Sequence, residues 1–264
     1  MAHETSMTGV DIDAGQPEIR NINFEDIKDA LRLGVADFTA KPSHIFFLCL
    51  FYPIIGLFLS RLIFGYEVLP WLFPVVAGFT LVGPIAAIGL YELSRRREQG
   101  LDISLWNVFD VMKSPSIRGI AILSIVIAAI FVAWLFIAQL VYSVTFDGAV
   151  PTSFTGFISD VFTTSQGWTL IVVGGGIGAV IAIMVLAISV VSLPMLLDKN
   201  VSASQAVQTS VRNASVNPVM MSTWGLIVVG LLILGSIPFF IGLAVVLPVL
   251  GHATWHLYRK VVVS

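Results

Sequence analysis

Between His44 and Tyr258 the chain is laid out as long apolar stretches separated by short polar ones. A helix that crosses a bilayer needs about 20 mostly apolar residues, each rising 1.5 Å. Five stretches reach that length: His44 to Phe64, Leu69 to Leu93, Gly119 to Tyr142, Trp168 to Leu197 and Val219 to Tyr258. The last would be about 60 Å long as one helix, roughly twice the hydrocarbon thickness, so it must fold back. Gly235-Ser236-Ile237-Pro238 is the natural break, because Gly and Pro interrupt helices. The pattern therefore predicts an all-α polytopic membrane protein with six transmembrane helices. Composition agrees: 57% of the residues are hydrophobic and 11% charged, too few charges for a polar shell facing water. Lipid is the expected solvent for most of the chain.

Lysine and arginine set the expected orientation. Of the 14 basic residues, only Arg61 falls between spans on the predicted outer side. The others cluster before span one, after spans two and four, and at the carboxyl end. That places both termini in the cytoplasm. Residues 1–21 read as a disordered amino-terminal tail and residues 22–264 as a single six-span domain. The polar start of the chain lacks a cleavable signal, so the first span reads as a permanent anchor. Cys49 is the only cysteine, which excludes an intrachain disulfide. A net charge of −2 gives no field for nucleic acid.

Three cytoplasmic segments share a pattern. Phe24, Ile27, Leu31, Val35 and Phe38 fall at helical spacing after Asn23, a candidate cap. Leu105, Trp106, Phe109 and Met112 form a second apolar side. Ala203, Ala206, Val207, Val211 and Ala214 form a third, opened by a Ser202/Gln205 capping box. Each segment ends at a proline, Pro42, Pro115 or Pro218, and a span follows. The expected architecture is three helical hairpins, each preceded by a cytoplasmic interfacial amphipathic helix.

Chemistry-bearing motifs are few. Gly174, Gly176 and Ala179 match dinucleotide-fingerprint spacing, but the helix that follows has almost no polar face to leave in solvent. Close helix packing through Gly174 and Gly178 fits better. His44, His252 and His256 are placed near one membrane boundary, and histidines on different helices at one depth can bind haem, copper or zinc. They are the candidate metal ligands; the alternative is an aromatic and basic interfacial belt with Trp255, Tyr258, Arg259 and Lys260. Arg95-Arg96-Arg97 reads as a positive-inside anchor, with anionic-lipid binding as the rival. No catalytic motif is recognisable and no cofactor is implied.

Four stretches carry a resemblance: Asp37-Phe38 to Pro42, Gly83-Pro84 through GLYELSRRREQG, TSVRNASVNP, and the closing LPVLGHATWHLYRK. Together they resemble an uncharacterised bacterial integral-membrane family, a domain of unknown function, some members of which carry a cytochrome c oxidase subunit I label. The resemblance implies a multi-pass protein of the bacterial inner membrane and no established activity. An oxidase catalytic subunit would carry histidines on several spans; here they stand at two span ends. The leading functional expectation is a non-enzymatic accessory or assembly factor of a membrane complex, with the lipid bilayer and other membrane subunits as partners. The rivals are a carrier for a small or lipid-like solute and a haem- or copper-handling protein.

Overall fold

The computed structural model describes residues 17–40, 66–238 and 241–263, and these are helical almost throughout. The first predicted span, His44, Cys49 and the Pro42 elbow lie outside the described residues. Ten α-helices follow in order: α1 (Phe24–Ala40), α2 (Leu69–Glu98), α3 (Ile117–Thr145), α4 (Phe154–Thr163), α5 (Ser165–Thr169), α6 (Gly175–Ser189), α7 (Ser192–Asp198), α8 (Ala203–Val216), α9 (Pro218–Ser236) and α10 (Leu243–Val261). A 3-10 helix, Leu105–Lys113, links α2 to α3, and a π-helical turn, Leu170–Gly174, links α5 to α6. The described residues contain no strand, only an antiparallel bridge between Ile19 and Val262.

Three helical stretches, Ile117–Thr145 (α3), Ser165–Asp198 (α5 to α7) and Pro218–Ser236 (α9), are long and apolar enough to cross a membrane. Tyr66–Gly78 with Leu81–Glu98 makes a fourth if the 41° bend between its halves lies within one span. Pro84 explains that bend: it lacks the N–H that would bond the carbonyl of residue 80, and its ring crowds that carbonyl. The sixth predicted span exists as a helix, α10, but fails the same test. Its carboxyl half carries His252, His256, Arg259 and Lys260 and is sunk among other helices rather than turned outward. The described residues thus supply three or four such helices.

Side chains bond the helix backbone at two places. Trp134 of α3 donates its indole N–H to the Pro74 carbonyl at 2.8 Å. Gly78 makes room for that approach, since a Cβ there would stand 2.2 Å from the Phe131 ring. Gly178 packs against the other side of the same indole, with its virtual Cβ 3.0 Å away, whereas Gly174 meets nothing closer than 3.9 Å. One member of the expected glycine pair therefore does the packing, and its partner is a tryptophan ring. Between α6 and α7, Ser210 of α8 enters the helical ladder: its hydroxyl donates to the Ala187 carbonyl at 2.7 Å and accepts from Val191 N–H at 3.2 Å. That pair of groups would otherwise bond each other in an uninterrupted helix.

The caps fall where the sequence places them. Asn23 and Asp26 exchange bonds of 3.1 and 2.9 Å, and Ser202 and Gln205 form a capping box. Gly100, at φ +67°, closes α2; Leu101 N–H reaches the Arg96 carbonyl at 2.9 Å and Gly100 N–H the Arg97 carbonyl at 3.0 Å.

Candidate functional site

The helix α1 does not bury the apolar face its spacing suggests. The buried residues are Ile27, Ala30, Gly34 and Asp37, a stripe displaced from Phe24, Leu31, Val35 and Phe38. Small residues let α1 lie against α10: a Cβ on Gly34 would stand 2.7 Å from both the Cβ and the backbone nitrogen of Ala253, and 2.8 Å from the Val249 carbonyl. One turn beyond this crossing, Asp37 is carried into the protein with only 7% of its surface exposed.

Asp37 is the hub of a polar cluster drawn from three helices. Arg97 of α2 donates to Oδ1 at 2.5 Å. Ser94, one turn earlier on the same face, donates to Oδ2 at 2.5 Å. His256 of α10 meets Oδ2 through Nε2 at 2.8 Å. His252 Nδ1 stands 2.8 Å from Ser94 Oγ and 3.9 Å from Asp37 Oδ2. Ser94 has one proton and gives it to the carboxylate, so Nδ1 of His252 is the donor in their contact. Burial pushes the Asp37 carboxyl up, but the bonds from His256 and Ser94 outweigh it and hold the group below the ordinary aspartate value.

This is not the arrangement of a nucleophilic serine. A triad sets histidine between serine and carboxylate, with the hydroxyl open to substrate. Here the serine lies between carboxylate and histidine, and Ser94 is 1% exposed. Among the described residues, no three His, Cys, Asp or Glu side chains gather so as to hold a metal ion. The structure brings His252 and His256 together at Asp37; His44 is outside the described residues.

A second cluster sits one turn along. Glu98 of α2 accepts from Trp255 Nε1 and from Arg259 Nε, both at 3.0 Å. Asp198, at the end of α7, accepts from Tyr258 at 2.7 Å and Arg259 at 3.2 Å. Lys260 donates to Asp29 at 2.6 Å and, with Arg32, holds that carboxyl down at about 2. The amino-terminal segment closes the assembly: Arg20 N–H bonds the Val261 carbonyl at 2.9 Å, and Asn217 binds both Ile22 N–H and the Arg20 carbonyl.

Each arginine of the triplet pairs with a carboxylate of the protein, although all three keep part of their surface exposed. Arg95 pairs with Glu92 at 2.7 Å, Arg96 with Asp110 at 3.5 Å and Arg97 with Asp37. The four stretches that carry the sequence resemblance are the four that meet here: Asp37 from the first, Glu92 to Glu98 from the second, Asn217 from the third and His252 to Lys260 from the fourth. Sequence reasoning found the histidines but not Ser94, Arg97 or the role of Asp37. An acidic residue at a buried position of the 27, 30, 34, 37 stripe was the available signal.

Residues 72–198, a little under half of the chain, match the family model described as "Predicted integral membrane protein (DUF2189)". The resemblance seen in the sequence is borne out over that stretch, which holds the Arg95 triplet but neither Asp37 nor the histidines. None of the curated proteins and none of the solved structures matches the chain.

Proposed function

We propose that this integral membrane protein is a non-enzymatic accessory or assembly factor that works through helix and lipid contacts within a larger membrane complex. One observation carries the reading. The polar groups at one end of the bundle bind one another, whereas α3 and α9 turn broad apolar faces outward, with Ile125, Phe136, Leu140, Val144, Leu226 and Leu234 among the most exposed. Such faces meet acyl chains or the helices of a partner. Affinity purification from the native membrane in mild detergent tests it. Stoichiometric recovery of the subunits of one complex is expected; recovery of the protein alone would remove this reading.

The topology that goes with it is six spans as three hairpins in a bacterial inner membrane, both termini cytoplasmic. The Ile19–Val262 bridge supports an even number of spans, because it holds the start and end of the described chain on the same side. Reporter fusions after Asp147 and after Lys199 should fall on opposite sides. A carrier for a small or lipid-like solute is the rival, favoured by the bend in α2 and the interrupted helix at Val191. Solute uptake by vesicles containing the purified protein alone would support it over the accessory role.

A further inference from the structure

The segment from Ser104 to Lys113 repeats every three residues, and the helix it forms has three residues per turn. Each of its three edges therefore has one character. Ser104, Asn107, Asp110 and Lys113 form a polar edge, on which Asn107 and Lys113 each donate to Asp110 at 2.6 Å. Val108 and Val111 face α2, where a Cβ on Gly89 would stand 2.9 Å from that of Val108. Trp106, Phe109 and Met112 line the third edge and are 78%, 53% and 73% exposed. Runs of 3-10 helix this long are uncommon, because their hydrogen bonds are poorer than those of an α-helix. Here the threefold pattern is one the 3-10 form alone keeps in register: α-helical winding would rotate each edge by about 60° per turn of three residues.

We infer that the Trp106–Phe109–Met112 edge inserts into the headgroup and acyl boundary of the bilayer, anchoring the hairpin of α2 and α3 at its polar end. Two observations identify lipid as the occupant. The edge runs through the short Ser114–Ser116 elbow into α3, so its apolar surface continues along the chain into a membrane-crossing helix whose Ile117, Ile122 and Ile125 are exposed. Beyond the same elbow stands Arg118, exposed and with no ion pair among the described residues, as a cation for anionic headgroups. Tryptophan at such a boundary buries its ring while the indole N–H stays hydrated. The other two amphipathic segments differ: α1 buries its stripe against α10, and α8 buries Ala206 and Ser210 against α6 and α7.

Spin labels test this in the full chain, carrying Cys49→Ser and reconstituted in phosphatidylcholine–phosphatidylglycerol vesicles. Labels are placed singly by Trp106→Cys, Phe109→Cys, Met112→Cys, Asn107→Cys and Lys113→Cys. Dissolved oxygen should reach the first three severalfold better than a water-soluble nickel chelate does, and the preference should reverse at 107 and 113. Equal access of the chelate to all five overturns the inference. So do immobile labels at 106, 109 and 112 shielded from both reagents, which would mean that a second copy of the chain covers the edge. Neither result bears on the accessory role, whose test is co-purification.

Discussion

Replacing Gly34 with leucine is expected to lift α1 from α10 and to destabilise the protein by about 3 kcal/mol, the upper end of overpacking losses. The atoms a side chain would strike are the Ala253 nitrogen and the Val249 carbonyl, backbone groups inside a helix that cannot swing aside. The helices must separate, and separation stretches the bonds on either side of the crossing, Lys260–Asp29 at 2.6 Å and His256–Asp37 at 2.8 Å. Thermal unfolding in detergent should show the loss. Trypsin should cut faster at Lys28 and Arg32, both exposed on α1. Gly176→Leu is the control, because its Cβ position meets nothing within 4 Å. Ala253→Gly should relieve Gly34→Ala only in part, since it removes one of three close atoms. Equal stability of the Gly34 and Gly176 variants would mean that α1 is not held at this crossing.

The helices were legible in the sequence because each long one leaves a run of apolar residues that no other structure can hide from water. The turn between the last two was placed at Gly235 to Pro238, and α9 ends at Ser236. Gly242 then packs on Gly235, Cα to virtual Cβ at 2.8 Å, a tight return that needs both glycines. The setting of α10 was less legible, because His252 is buried and His256, Arg259 and Lys260 are half-buried against helices far away in sequence. The same cause hid the candidate site. Asp37 lies 57 residues from Ser94, 60 from Arg97 and 219 from His256, so no local period announces their meeting.

Two further readings turned on geometry that side-chain periodicity does not fix. The second amphipathic segment was read with Leu105 on the same side as Trp106, which suits an α-helix. Its capping box at Ser104 and its threefold repeat instead wind it as 3-10, and Trp106 stacks with Phe109 at 6.2 Å between ring centroids. In α1 the buried stripe starts at the apolar Ile27, but beyond it size rather than hydrophobicity decides which residues face inward. Ala30 and Gly34 allow contact that Leu31 and Val35 would prevent, and Asp37 follows them inward.

Asp37→Ala should lower stability by about 3 kcal/mol, because removing one partner of a buried charged pair leaves the other uncompensated. The figure is taken at the low end, since Arg97 is 39% exposed and can turn to water. Ser94 and His256 have less freedom: both are largely buried, and both lose the oxygen they share. Asp37→Asn keeps the shape but not the chemistry: with its oxygen kept for Ser94 and His256, its NH2 replaces Oδ1 and faces the Arg97 guanidinium, donor against donor, so it should lose nearly as much. A dependence on pH separates charge from shape. The partners hold the Asp37 pKa below the ordinary value of about 3.9. Its contribution is therefore complete above that value and is lost as pH falls through the lowered one. The groups around it are Ser94 and Arg97 from α2 and His252 and His256 from α10, and Asp37 is the carboxylate on which they converge. The gap in unfolding temperature between the parent and Asp37→Asn should accordingly be full at neutral pH and shrink below about pH 4. A gap that stays constant down to pH 3 would mean that shape rather than charge carries the difference, and no gap at neutral pH would mean that α1 is held by packing at Gly34 and Ala30 alone, with the carboxylate a passenger.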